Sequence, residues 1–495
     1  MKISRYIWDV LALGIAICVS GFQVFSQSES HKIVGLIPFV SLAPLFAVFQ
    51  KDEYSRIRMH ISSLIVFTAI GVLIAIRFRI GLIFGAGAGV FQGVVLPLIM
   101  DPVFSQTTSL LRRSLVVLCA WVSLDYLVAA TYGIAVTLPI QLYRLPLLLQ
   151  PISVLGASSV DALLITSNWL LGVSLGRLVY RRTGNDRSCL MPLGSWLLTL
   201  GVWLLFAWYC WSHSSDRTTT QVRVATISPG IRYNGGVSDL INMTRVAHHD
   251  GAHFIVWPEE YVYPDRIGES CEDFIRDRIV PHLNGVDAYV VVGCMQLTPS
   301  LCPTANLAVT IGPDGRILGS YGKQHPVTMI GELSCIKNGY RSYPIQNFPG
   351  LSFSTLICYD TDFEDSAATV ADMGVSLILN PSEDWAAARS HFAASVFRAV
   401  ENRVAIAKAD WGWDSAIIQP NGVVVAMYNS LNIHREILVA NVPIYPQESS
   451  TNQMRHTLFP TLCMLVCTVM VAHAVRSRRA GAIDLESDIG TRLLL

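Results

Sequence analysis

The sequence predicts a polytopic α-helical membrane bundle of about eight spans joined to an extracytoplasmic α/β layered sandwich. Three observations predict it. Of 495 residues, 52% are hydrophobic and only 15% charged, against about 25% charged in an ordinary soluble domain. The apolar residues gather in runs long enough to cross a hydrocarbon core of about 30 Å, which takes about 20 helical residues. The stretch 218–447 breaks that pattern, with short β-branched runs alternating with helical ones. The predicted organisation is a bundle over 1–211, the hydrophilic domain over 218–447, a last span at 457–474 and a cytoplasmic tail at 475–495.

Seven runs precede residue 212, at roughly 7–25, 33–50, 61–76, 80–100, 114–133, 152–176 and 191–211. The loops orient them. With the N-terminus in the cytoplasm, the cytoplasmic segments hold Lys2, Arg5, Lys51, Arg56, Arg58, Arg112, Arg113, Arg177, Arg181, Arg182, Arg187, Arg476, Arg478 and Arg479. The opposite loops hold only Lys32, Arg77, Arg79 and Arg144. Fourteen basic residues against four is the asymmetry of the positive-inside rule. It puts the hydrophilic domain outside and both termini inside, in a multi-pass cell (inner) membrane protein. The first run lacks a small-residue cleavage site and six more follow, so it reads as a span and not as a removable signal. Asp125 falls in the fifth run, Asp161 and Asn168 in the sixth. Such groups either line a wet cavity or make helix–helix hydrogen bonds. The net charge of zero argues against a nucleic-acid partner. The eleven cysteines show no CxxC spacing, so no metal site is expected.

Within the hydrophilic domain the predicted strands are Gln221–Ile227, His253–Trp257, Ala288–Cys294, Ala305–Ile311, Phe353–Cys358, Val375–Leu379, Val404–Lys408, Ser415–Gln419 and Ile437–Val442. The predicted helices are Val237–His249, Cys271–Leu283, Phe363–Met373 and Ala386–Asn402. Strands interleaved with helices give a layered α/β domain. Cys271, Cys294, Cys302 and Cys335 lie in it; a Cys302–Cys335 disulfide and four separate thiols are both open readings.

Three strand ends carry reactive side chains: Trp257-Pro258-Glu259-Glu260, Tyr321-Gly322-Lys323-Gln324-His325 and Ile357-Cys358-Tyr359-Asp360. Taken singly, a lone cysteine at a strand end is more often a small core residue than a nucleophile. In this order and spacing the three segments resemble the nitrilase superfamily of carbon–nitrogen hydrolases. The resemblance implies Glu259 as general base, Lys323 as second catalytic residue and Cys358 as nucleophile. Their chemistry agrees. A free thiol is mostly protonated at neutral pH, so it needs a nearby base, and the oxyanion formed on attack needs a fixed positive charge.

The layout, a bundle with this domain inserted before the last helix, resembles the apolipoprotein N-acyltransferase family. So do Leu149-Gln150-Pro151-Ile152 through Asn168, Gly331-Glu332 and Arg398-Ala399-Val400-Glu401. The resemblance adds Glu332, Tyr359, Asp360 and Asn306 as supporting active-site candidates. It implies acyl transfer from a phospholipid donor, through a cysteine thioester, to the α-amine of a lipoprotein's diacylglyceryl cysteine, with membrane lipids as surroundings and no cofactor. The loops depart from the family at 326–332, 380–386 and 409–415, and Cys358-Tyr359-Asp360 replaces the family's Cys-Tyr-Glu. An acyltransferase with another amine acceptor and a membrane-tethered amidase or nitrilase-type hydrolase therefore stand as alternatives. So does a transporter or scaffold with an inactive domain.

Overall fold

The computed structural model describes residues 2–26, 32–50, 55–79, 82–134, 137–180, 187–215, 220–230, 236–297, 304–327, 332, 345–384, 391–411, 413–428, 435–445 and 452–493. Cys302, Cys335 and most of the loops 326–332 and 385–390 lie outside them. The membrane part comprises α1 (Lys2–Phe25), α2 (Ala43–Val48), α3 (Arg56–Phe78), α4 (Leu82–Phe104), α5 (Leu110–Tyr132), α6 (Pro146–Leu149), α7 (Ile152–Leu155), α8 (Ser158–Tyr180), α9 (Arg187–Ser215) and, after the domain, α14 (Asn452–Leu493). Seven of these, α1, α3, α4, α5, α8, α9 and α14, are long and apolar enough to cross a membrane.

The second predicted run, 33–50, is not one helix. It is a 3₁₀ stretch, Lys32–Phe39, followed by the short α2. Pro38 and Pro44 interrupt it, because proline lacks an N–H and clashes with the preceding turn. The backbone groups left over find partners on α8. Asn168 Nδ2 donates to the Pro38 carbonyl (2.7 Å), its Oδ1 accepts from Leu42 N (2.7 Å), and Ser167 Oγ donates to the Phe39 carbonyl (2.9 Å). Gly172 then lies against Ala43 and Phe46, and Gly176 against Gln50. The broken run thus follows α8 in the same direction. Of the two readings of Asn168, the structural one holds.

α3 and α4 form a close hairpin. A Cβ on Gly85, Gly89 or Gly93 would sit 2.3, 2.2 or 2.8 Å from α3 backbone atoms. Small residues spaced by four let membrane helices meet at backbone distance, where dispersion replaces the missing hydrophobic drive. Asp125 and Asp161 face each other between α5 and α8.

The domain strands are β1 (Thr220–Ser228), β2 (Phe254–Val256), β3 (Tyr289–Leu297), β4 (Thr304–Ile311), β5 (Ile317–Gly322), β6 (Ile345–Phe348), β7 (Leu351–Thr355), β8 (Leu377–Pro381), β9 (Ala405–Ala409), β10 (Ser415–Ile418), β11 (Val424–Tyr428) and β12 (Glu436–Ile444). They form two six-stranded mixed sheets, ordered β12-β1-β2-β3-β4-β5 and β11-β10-β9-β8-β7-β6. In each, the three central strands are parallel, β1-β2-β3 and β7-β8-β9. The sheets stack face to face, with Val222, Val224, Phe254 and Val256 of one sharing a core with Phe353, Leu377 and Leu379 of the other. α10 (Gly236–His249) and α11 (Cys271–Arg278) cover the outside of the first sheet, packing on Ala225, Ile255 and Trp257. α12 (Glu364–Asp372) and α13 (Phe392–Asn402) cover the second. The alternation along β1 and β2 follows from the two-residue strand period, with both faces buried.

All nine predicted strands form. β5, β6 and β11 were not predicted: β5 and β11 are half-exposed edge strands with weak apolar patterns. Cys271 and Cys294 are disulfide-bonded, joining α11 to β3. Spacing alone could not single out this pair from four cysteines.

Candidate active site

Parallel strands present their carboxyl ends on one edge, and open α/β sheets place their sites there. β2 ends in Trp257-Pro258-Glu259, β7 in Ile357-Cys358, β8 in Pro381-Ser382, with Asp384 just beyond, and β5 runs into Lys323. Four chain segments therefore converge at one end of the sandwich. Gly293 on β3 allows the Glu259 turn to come close; a Cβ there would sit 2.0 Å from the Pro258 carbonyl oxygen.

Glu259 and Lys323 are 2% and 3% exposed. Lys323 Nζ donates to Glu259 Oε1 (2.8 Å) and to Glu332 Oε2 (2.8 Å). Asn306 Nδ2 reaches Glu259 Oε1 (2.6 Å), Glu260 Oε1 (3.0 Å) and Glu332 Oε1 (3.3 Å). The other Glu259 oxygen, Oε2, accepts from Glu383 N (2.9 Å), and Trp411 Nε1 donates to its carbonyl (2.7 Å). Glu259, Lys323, Asn306 and Glu332 are thus brought together. Burial drags the Lys323 ammonium down, but Glu259, Cys358 and Glu332 outweigh it and hold the group well above an ordinary lysine. Burial raises Glu259, with Lys323 opposing. Burial, with Glu259 beside it, pushes Glu260 to about 7, and Glu383, on the exposed rim of the same group, is raised to about 8 by partial desolvation and by Glu259 and Glu260.

Cys358 opens a short 3₁₀ turn, Cys358–Asp362, with φ of 44°. Left-handed backbone is strained for a side chain with a Cβ, and such strain persists where the surroundings force it. The thiol is 4% exposed. Burial, then Glu259, pushes it up to about 12, so it rests protonated. Asp360, fully buried, holds the turn against the Lys323 strand. Its Oδ2 accepts from Tyr321 OH (2.7 Å) and Ile357 N (3.1 Å), and its Oδ1 from Gln324 N (3.1 Å) and His325 N (2.8 Å). Asp360 is thus a brace within the turn. Tyr359 OH points away, to the Tyr132 carbonyl at the end of α5 (2.6 Å). Beside it Gly133, at φ 76°, leaves only enough room for Asp362.

Sequence reasoning missed a second polar group beside the thiol. Asp384 Oδ1 lies 3.9 Å from Cys358 Sγ and 2.8 Å from His391 Nδ1. His391 Nε2 lies 2.6 Å from Asp362 Oδ1, and Lys408 Nζ donates to Asp384 Oδ2 (2.5 Å). One signal was available: Asp384 and Lys408 stand at or just past the ends of β8 and β9, as the predicted residues do at theirs. Among the described residues, three clusters pack ligand-type atoms within 4.8 Å: Glu259–Glu260–Glu332, Cys358–Asp384–His391 and Glu364–Glu401–His456. In the first two, Lys323 and Lys408 already supply a cation to a carboxylate.

Residues 222–444 match the carbon–nitrogen hydrolase family. The chain carries a carbon–nitrogen hydrolase domain. Its two-sheet sandwich has the nitrilase-superfamily fold, and the chain is distantly related to apolipoprotein N-acyltransferases. Apolipoprotein N-acyltransferase 2 of Treponema pallidum (strain Nichols) is 24% identical over 214 residues, 37% of this chain and 38% of that protein. Apolipoprotein N-acyltransferase 1 of the same organism is 30% identical over 142 residues, 27% of this chain and 26% of that one. The chain thus spans well under half of the relatives it matches. Among solved structures, an amidase from Nesterenkonia sp. is similar at 18% identity and a TM-score of 0.39, covering 48% of this chain and 96% of its own. Nit3 of Saccharomyces cerevisiae, at 16% identity and a TM-score of 0.38, covers 49% and 96%.

Proposed function

We propose that this carbon–nitrogen hydrolase domain is an acyltransferase working at a membrane surface, with Cys358 as nucleophile, Glu259 as general base and Lys323 as oxyanion partner. The observation that carries the reading is the seat of the Cys358 turn on α5, through Tyr359 OH to the Tyr132 carbonyl and Asp362 against Gly133. A hydrolase of small soluble amides has no need of that seat. A substrate anchored in a bilayer does. A cavity of about 370 Å³ lies at the same seam, lined by Tyr126, Ala129, His325, Phe363, Glu364 and His456. It lies between membrane helices and the domain. Both substrates are then tethered, which turns a three-dimensional search into a local one.

The steps follow from the groups present. Glu259 takes the Cys358 proton as Sγ attacks the ester carbonyl of a phospholipid. The carbonyl oxygen becomes an oxyanion facing the Lys323 ammonium; one such fixed donor contributes about 3–4 kcal/mol. Collapse breaks the ester C–O bond, and Glu259 returns the proton to the departing lysophospholipid alkoxide. An amine then attacks the thioester. Glu259 takes the amine's proton and passes it to the leaving Sγ, restoring the thiol. We assign the acceptor as the α-amine of a lipoprotein's N-terminal diacylglyceryl cysteine, as the family resemblance implies, and the domain to the extracytoplasmic side, as the charge asymmetry of the loops directs.

The test is acyl trapping. Full-length protein in phospholipid with a labelled acyl chain should acquire hydroxylamine-sensitive label that Cys358→Ser abolishes. A folded wild type that takes no label would overturn the phospholipid donor. Label discharged equally fast with and without an added lipopeptide amine would favour hydrolysis.

A further inference from the structure

The proposed chemistry uses one side of Cys358, the Glu259–Lys323 side. A second buried polar group also lies against the thiol, and no step above needs it. There, both nitrogens of the His391 ring face carboxylate oxygens, Asp384 Oδ1 at 2.8 Å and Asp362 Oδ1 at 2.6 Å. A carboxylate only accepts, so a ring bonded to two of them carries both protons and is an imidazolium. The side chain is 9% exposed, and Asp362 and Asp384 are 0% and 1% exposed as side chains. Asp384 is held ionised from its other oxygen by Lys408, itself anchored by the Asp414 carbonyl (3.0 Å) and side chain (3.5 Å). Asp410 fixes the loop, its side chain accepting from Asp384 N (2.6 Å) and Trp413 N (2.6 Å).

We propose that His391, clamped between Asp362 and Asp384, is a positioning residue that tunes the Cys358 thiol: Asp384 orients the resting S–H, and the imidazolium with Lys408 faces the thiolate once Glu259 has taken the proton. The inference rests on Cys358 being the nucleophile. The division of labour has a physical reason. Two cations on Asp384 make it a poor base, so it can accept a hydrogen bond from the thiol without removing its proton. The proton is then left for Glu259, which must return it later. The groups facing the thiol are Glu259, Lys323, Asp384, His391 and Lys408, with the Tyr359 ring 6.5 Å from that of His391. Glu259 and Asp384 disfavour the thiolate; Lys323, Lys408 and His391 favour it. Asp362 and Asp384 hold the ring well above an ordinary histidine after burial has pulled it down.

The sign of each contribution makes the test. The alkylation rate of Cys358 by iodoacetamide is measured on full-length protein in detergent from about pH 6 to about pH 9, with Cys358→Ala as blank. His391→Gln removes a positive neighbour and should slow alkylation about tenfold at each pH, the effect of about one unit in the thiol. Asp384→Asn removes a negative neighbour and should speed it. Asp362→Asn leaves Lys408 paired and loosens the ring's extra proton, so it should slow alkylation increasingly as pH rises. A merely structural role predicts changes of one sign in all three. Equal rates in wild type, His391→Gln and Asp362→Asn would overturn the proposal, as would slowing by Asp384→Asn with the fold retained. Should Asp384→Asn not fold, the pH-dependent slowing in Asp362→Asn decides. Acyl trapping is separate: wild type without acyl label but with opposed alkylation effects rejects the acyl-transfer reading and keeps this one.

Discussion

The interrupted run of the bundle and the catalytic edge proposed for the sandwich bury polar groups by opposite means. In the bundle, the interrupted run 32–50 is completed by neutral donors and acceptors, Asn168 and Ser167, and α3 meets α4 through glycines. In the sandwich, charges are buried in pairs and triads: Glu259–Lys323–Glu332 and His391–Asp384–Lys408. The contrast teaches what each is for. A neutral amide satisfies backbone at little electrostatic risk, whereas a buried ion pair contributes little to stability and fails badly when one partner goes. Charges concentrated at one edge of the sandwich are therefore better explained by chemistry than by folding.

Replacements test that contrast, beginning with the largest effect. Glu259→Gln keeps the shape and removes the proposed base; acyl-enzyme formation should fall about 10²–10⁴-fold, read by label incorporation on the folded fraction, with some loss of melting temperature because the amide turns a donor towards Glu383 N or Lys323. Lys323→Met leaves Glu259 and Glu332 buried without their cation and should cost about 3–5 kcal/mol by denaturant unfolding. A loss under 1 kcal/mol would mean the carboxylates are not both ionised. In the bundle, Gly89→Leu forces α3 and α4 apart and should cost about 3 kcal/mol, read as a lower melting temperature. Asn168→Ala leaves the Pro38 carbonyl and Leu42 N without partners and should cost only about 1–2 kcal/mol. Were Asn168→Ala to cost as much as Lys323→Met, the contrast would collapse.

The smallest effect is on pH. Glu260 and Glu383 are raised to about 7 and about 8, so the folded state holds protons that the unfolded chain, with ordinary glutamates, has released above about pH 4.5. Stability from these groups is present at low pH and lost as pH rises towards 8. The melting temperature of the domain should therefore fall between about pH 5 and pH 8, and Glu383→Gln should flatten that fall.

What the sequence disclosed was whatever depends on local pattern. β2 and β7 were readable because an apolar run ends abruptly in Pro258-Glu259 and in Cys358; the roles of Glu259, Lys323 and Cys358 came through the resemblance that their three segments carry together. Asn306 and Glu332 came through the resemblance. His391 was invisible because its partners are 7 and 29 residues away in the chain, and nothing local distinguishes it from a surface histidine. The 33–50 run misled because length and hydropathy do not register what Pro38 and Pro44 do to a helix. The Cys271–Cys294 bond was hidden among equivalent pairings; breaking it should cost about 2–4 kcal/mol.

The hydrogen bond from Tyr359 to the last residue of α5 has a mechanical consequence. On the acyl-transfer reading proposed above, the Cys358 thiol takes its height over the bilayer from the α5 end that its turn rests on, and a turn added to or removed from that helix would shift it by about 5.4 Å. In a bilayer thicker or thinner than α5, the helix tilts or the lipid deforms. Either response raises or lowers the thiol relative to ester carbonyls whose depth the lipid sets. Turnover should then peak at one acyl-chain length and decline on both sides, making α5 the gauge rod of the reaction.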